Sequence, residues 1–98
     1  MKPKNPCVYI LASRHSGTLH IGVTSDLARR IFEHRSGAGS GFVDAYRVYR
    51  LVYAEFHSTM AAAIMREKRV KKWRRAWKLA LIERQNPRWR DLSDELMF

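Results

Sequence analysis

The sequence predicts an α+β domain in which helices flank a three-stranded, mainly antiparallel sheet, with the element order β-β-α-β-α-α. Three observations lead there. Two short β-prone runs lie either side of a Ser-Gly turn, a third stands near residue 50, and the segments that follow carry helical spacing bounded by caps. Hydrophobic residues make up 46% of the 98, which suits one globular core and is too many for a disordered basic tail. Chains divide into domains only beyond roughly 250 residues, so residues 1–98 read as a single domain.

Val8-Tyr9-Ile10-Leu11 is the first strand, closed by Ser13-Arg14-His15-Ser16-Gly17, and Thr18 to Val23 is the second. Around that turn the two form an antiparallel hairpin. Thr24, Ser25 and Asp26 are each able to cap a helix that begins at Leu27 and ends at Ser36-Gly37. Residues 36–46 hold three glycines without any period and read as a mobile loop. Tyr49 to Phe56 is the third strand. Ser58 or Thr59 then caps a helix from Met60 to about Trp73. A further helical stretch, roughly Arg75 to Glu83, either continues it or bends from it, and Asn86-Pro87 stops it because the residue before proline avoids the α region.

The charge narrows the function classes. Nineteen Lys and Arg against nine Asp and Glu leave a net +10, and a folded domain this basic points to a polyanion, nucleic acid first. Eleven of the cations lie within residues 66–90, against Glu67 and Glu83 alone. Such a run is either a solvated helix face or a phosphate contact, and its density favours the second. Cys7 is the lone cysteine, which excludes a disulfide framework and cysteine-rich zinc modules. The expected setting is the reducing cytoplasm, with no targeting segment and no membrane anchor, since the longest early apolar run has six members.

Several polar residues occupy positions where apolar ones would build a better core. Tyr9 and His20 sit inside the hairpin strands, as packed rings or as working groups. Arg30 and His34 are spaced i, i+4 on one helix face, a spacing that can offer guanidinium and imidazole to one phosphate. Ala63, Val70 and Trp77 share a helical stripe and Glu67 falls beside it, so that its carboxylate points toward the apolar seam, unlike Arg66, Lys68 and Arg69. A half-buried carboxylate requires a cation, which is either a salt-bridging side chain or a divalent ion beside a phosphate. Trp73 and Trp77, at i, i+4, read as core packing.

The order of these residues resembles the GIY-YIG nuclease superfamily, in particular its small stand-alone bacterial members. The resemblance rests on Cys7-Val8-Tyr9, His20-Ile21-Gly22, Asp26 to His34, Leu51-Val52-Tyr53, Glu67 to Trp73, and Asn86-Pro87 followed by Trp89 and Asp91-Leu92. It covers about residues 6–92. It implies an endonuclease or structure-selective phosphodiesterase that hydrolyses phosphodiester bonds of DNA with one Mg²⁺ or Mn²⁺, in DNA repair or processing. By the same resemblance Tyr9 is the base or water-orienting group, Arg30 holds the scissile phosphate, His34 lies near the reacting oxygens, Glu67 is the metal ligand, Gly22 is a structural motif residue and Asn86 is a late motif asparagine. Arg29, Lys68, Lys71, Lys72, Arg74 and Arg75 are candidate nucleic-acid contacts, with DNA expected ahead of RNA and a protein partner able to direct specificity.

One motif position departs from the family. His20 stands where a tyrosine is usual, and an imidazole with an ordinary pKa of about 6.5 is better placed for base work than a phenol near 10. His20 therefore keeps the role, takes part of it from Tyr9, or marks a weakened enzyme. The alternative function is a nucleic-acid-binding module without catalysis, in which Trp73, Trp77 or Trp89 stack on bases. A third is an adaptor that docks an acidic protein.

Overall fold

Every residue of the first strand is buried, and the domain is built around that strand. The computed structural model describes residues 5–36 and 47–96. Strand β1 (Cys7–Ala12) lies between β2 (Leu19–Thr24) and β3 (Arg50–Phe56), antiparallel to both, in the sheet order β2-β1-β3. Helices α1 (Leu27–Arg35), α2 (Met60–Lys72), α3 (Arg75–Gln85) and the single turn α4 (Ser93–Leu96) complete the element order. The expected α+β architecture is therefore present, with α4 as an addition. The Gly-rich stretch expected to form a loop lies outside the described residues except for Ser36. No helix among the described residues is long and apolar enough to cross a membrane.

The caps explain the boundaries. Asp26 is the N-cap of α1 and accepts from the Arg29 backbone N–H at 3.2 Å. Thr59 caps α2 by accepting from Ala62 N at 3.1 Å. Such caps satisfy donors that the first helical turn leaves orphaned. Trp73 ends α2 with ψ at 150°, and Arg74 repeats the extended conformation with ψ at 155° before α3 starts. Two consecutive extended residues turn the chain, so α2 and α3 are separate helices.

Strand alternation divides the core in two. Cys7, Tyr9 and Leu11 face Leu27 and Ile31 of α1, together with Val48 and Leu51. Val8, Ile10 and Ala12 face Ala63 and Val70 of α2, Leu81 and Ile82 of α3, and Trp89. Burying each large aliphatic side chain contributes roughly 1.5–3 kcal/mol, so the sheet is held from both sides.

The segment after α3 is fastened back onto the sheet. Asn86 Nδ2 donates to the carbonyls of Val52 (3.1 Å) and Arg90 (2.9 Å), and Asn86 Oδ1 accepts from Arg90 N. Trp89 corrects the expectation of a stacking surface, because its side chain is fully buried. Its φ of 56° is a left-handed conformation rarely adopted by a bulky residue. Burial of the indole and its Nε1–H bond to Glu83 (3.0 Å) hold it there.

Candidate active site

Register places the motif residues together. Tyr9 pairs with Gly22 and Leu11 with His20 across β1 and β2, so Tyr9, His20 and Gly22 share the face that α1 covers. A Cβ at Gly22 would lie 2.5 Å from both Cζ and Oη of Tyr9. Only a residue without a side chain lets the phenol lie across β2, which gives Gly22 a steric role. From α1, His34 brings Nε2 to 3.0 Å from the Tyr9 hydroxyl, and Arg30 Nε donates to the same oxygen at 3.3 Å. The three rings of Tyr9, His20 and His34 cluster with centroids 5.3–6.1 Å apart.

Electrostatics set the protonation states. Burial raises the Tyr9 phenol above its usual value, opposed by its hydrogen bond from Arg30, so the hydroxyl is protonated at neutral pH. Burial and the nearby Arg30 charge lower His34, which leaves a neutral ring able to accept. His34 Nδ1 is buried without a hydrogen-bond partner among the described residues. His20 is pushed down to about 4, first by burial and then by His34, Lys71 and Arg30. The value lies below that of an ordinary imidazole, so in the free protein His20 is a neutral ring at pH 7.

Glu67 and Lys71 of α2 lie close enough for their charges to act on this cluster. The Glu67 charge contributes to the raised Tyr9 hydroxyl, and the Lys71 charge to the lowered His20. The Glu67 side chain is 12% exposed and its Oε2 lies 3.0 Å from Lys71 Nζ. The salt bridge weighed in the sequence is therefore present, in the favourable Glu-to-Lys i, i+4 order. No group of three His, Cys, Asp or Glu side chains among the described residues could hold a metal ion. A single carboxylate nevertheless suits Mg²⁺, which often keeps several waters and shares its shell with substrate phosphates. The donor set fits such an ion and does not fit a metal caged by protein alone.

Other candidates fall into two groups. Arg29, Lys68, Lys71, Lys72, Arg74 and Arg75 are all exposed. Arg75 already donates to the carbonyls of Ser16 (2.6 Å) and Gly17 (2.7 Å), which ties α3 to the hairpin turn. Asn86 is a buried tether with its amide engaged by backbone, away from the Tyr9 cluster's hydrogen bonds. Cys7 is buried, and burial pushes its thiol up to about 12, so it is not a nucleophile at neutral pH. Trp77 corrects the core-packing expectation, being 53% exposed.

Sequence reasoning missed Glu33. Its Oε1 accepts from Arg30 Nη1 at 3.3 Å, and its Oε2 lies 3.6 Å from Arg29 Nε, so it orients the guanidinium beside Tyr9. The i, i+3 spacing from Arg30 was the available signal. A second network was missed as well: Glu55 accepts from Arg66 (3.0 Å), lies 2.6 Å from His57 Nε2, and accepts from the Tyr53 hydroxyl. Tyr53, Glu55 and His57 alternate along β3 and its end, which the sequence shows, whereas Arg66 joins them from α2, which spacing does not reveal.

Comparison with known proteins agrees with this geometry. Residues 5–80 match the model of the GIY-YIG catalytic domain. A UPF0213 protein of Bacillus pumilus is 36% identical over 83 residues, covering 85% of this chain and 84% of that protein. Another UPF0213 protein, from Syntrophus aciditrophicus, is 38% identical over 81 residues, covering 82% and 91%. The solution NMR structure of a UPF0213 protein from Bacillus halodurans superposes with a TM-score of 0.57 at 29% identity, covering 92% of this chain and 95% of that one. With the match running from before β1 into α3, and with the tyrosine, glycine, arginine and histidine of its motifs drawn onto one face, the chain belongs to the GIY-YIG catalytic domain family.

Proposed function

We propose that the protein is a metal-dependent DNA endonuclease acting in DNA processing, with Tyr9, Arg30, His34 and Glu67 as its working groups. The observation that carries this reading is the convergence of Arg30 and His34 on the Tyr9 hydroxyl. Arg30 is partly exposed beside the buried phenol, so its remaining N–H groups can take a phosphate oxygen while Nε keeps Tyr9 in place. Tyr9 accepts from Arg30, and its own proton is directed to neutral His34. A water hydrogen-bonded to the Tyr9 oxygen can pass a proton to it as the phenol proton moves to His34 Nε2, so no free phenolate is required. Glu67 would hold one Mg²⁺ or Mn²⁺, which supplies polarisation of the phosphate when bound. His20 then serves as a neutral hydrogen-bonding ring instead of the base.

The test is cleavage of single-stranded, duplex and branched DNA with and without divalent ion. Removing one group that stabilises developing charge costs about 10²–10³-fold in rate, so Arg30→Ala and Glu67→Ala should each lose at least about 10²-fold. Undiminished cleavage by both variants would remove the assigned site. The lowered His20 favours one second reading, a binding module with weakened catalysis. Salt-sensitive, metal-independent binding without cleavage would select it.

A further inference from the structure

The side of α2 away from Glu67 carries a second surface. Arg66, Trp73, Trp77, Ala80, Leu81 and Arg84 line a groove of about 430 Å³ between α2 and α3. The two indoles meet edge to face, with centroids 6.1 Å apart. Arg66 lies 5.1 Å over the Trp73 ring and Arg74 lies 5.1 Å over the Trp77 ring. Trp77 is 53% exposed and Arg84 is exposed. An indole half in water contributes little to the core, and with Arg66 paired to Glu55 the guanidinium groups of Arg74 and Arg84 still leave the groove a positive charge that disfavours a cationic occupant.

We infer that this groove binds an unpaired base of a DNA strand, so that the protein engages substrates with a single-stranded segment beside the duplex. Bases stack on aromatic rings and on guanidinium planes, while cations beside the rings take the flanking phosphates. A paired base cannot do this because its faces are occupied by its neighbours in the duplex. The path to the site also favours a nucleic-acid strand. Arg66 and Glu67 point to opposite sides of the buried stripe made by Ala63 and Val70. The outward ridge between them carries exposed Lys68, Arg69 and Lys72. A helix is only about 10–12 Å wide, so a short strand crossing this basic ridge reaches from the indoles to Glu67. The inference rests on the nuclease reading for what happens at Glu67 and not for the binding itself.

The experiment measures binding separately from cutting. With EDTA present, fluorescence anisotropy is recorded for a labelled oligothymidine, a tailed duplex and a blunt duplex, and intrinsic tryptophan emission is followed in parallel. Stacking losses predict that Trp77→Ala binds the oligothymidine and the tailed duplex about 5- to 100-fold more weakly, with the blunt duplex unmoved and Trp77→Phe restoring most of the difference. Arg84→Gln should lower the salt slope for the tailed duplex by about one. Circular dichroism checks that the variants are folded. Equal weakening on all three DNAs, or no weakening, overturns the groove, as does quenching by an acidic peptide where oligothymidine gives none. Groove-dependent binding without metal-dependent cleavage by the wild-type protein would sink the nuclease reading and leave the groove standing. Cleavage with no Trp77 effect would do the reverse.

Discussion

The two faces of β1 are equally buried and chemically unlike. Val8, Ile10 and Ala12 meet an apolar layer from α2, α3 and Trp89, whereas Cys7, Tyr9 and Leu11 meet a layer into which α1 inserts His34. Burial on the first face mainly stabilises, and the one titratable group it shifts, the Tyr53 hydroxyl, is raised at the margin beside Glu55. On the second face it also sets protonation, raising Tyr9 and lowering His34 and His20. One strand thus supplies rigidity to one side and a low-dielectric setting to the other.

This contrast can be broken by mutation. Ile10→Ala should have the largest effect, a loss of about 2–5 kcal/mol of stability from transfer and cavity terms, with cleavage per folded molecule retained. Denaturant unfolding beside active-fraction titration checks it, and an active site that fails in the folded fraction would mean the faces are not independent. Gly22→Ala should cost less stability, about 1–3 kcal/mol from overpacking, while displacing Tyr9 and lowering turnover. The Tyr9 signal by NMR would report the displacement. If the ring stays put and turnover holds, Gly22 has no steric role.

The smallest effect concerns pH. Folding lowers His20 to about 4 and lowers His34, while an unfolded histidine titrates near 6.5. Between those values the unfolded chain takes up protons that the folded one refuses, so stability falls as pH drops from about 6.5 toward 4. Glu55 and Asp91 are held below their usual carboxylate values, so their own loss of stability begins only at the acid end of this window and continues beneath it. His20→Gln should flatten the slope in thermal melts across it. An unchanged slope would place the proton uptake elsewhere.

Much of the fold was legible because its signals are local. Short β-prone runs around a Ser-Gly turn marked β1 and β2, Asp26 and Thr59 marked helix starts, and Asn86-Pro87 marked an end. Pairing of β1 with β3 joins residues 38 to 49 positions apart, and no local pattern reports it. Trp77 was misread for a specific reason. A single helical wheel from Met60 onward assigns it to the Ala63 and Val70 stripe, but the extended backbone at Trp73 and Arg74 resets the phase. Trp89 was misread because its burial depends on a left-handed turn after Pro87 that propensity does not signal. Within the candidate site, residue types and spacing singled out Tyr9, Arg30 and His34 without deciding their roles, which the family resemblance supplied. They could not give the low value of His20, which arises from burial and cations contributed by other elements.

The tether that follows α3 has a consequence for solubility. β3 is an outer strand, and the chain end occupies its free side: Leu92 N donates to Leu51 O at 2.8 Å, Asn86 Nδ2 donates to Val52 O, and Arg50 Nη1 donates to Trp89 O. Unsheltered strand borders recruit other chains by main-chain pairing. Residues 86–92 act as a guard rail along that border. Trimming the chain at residue 85 would uncover main-chain acceptors on an apolar strand and turn a discrete domain into a self-templating one.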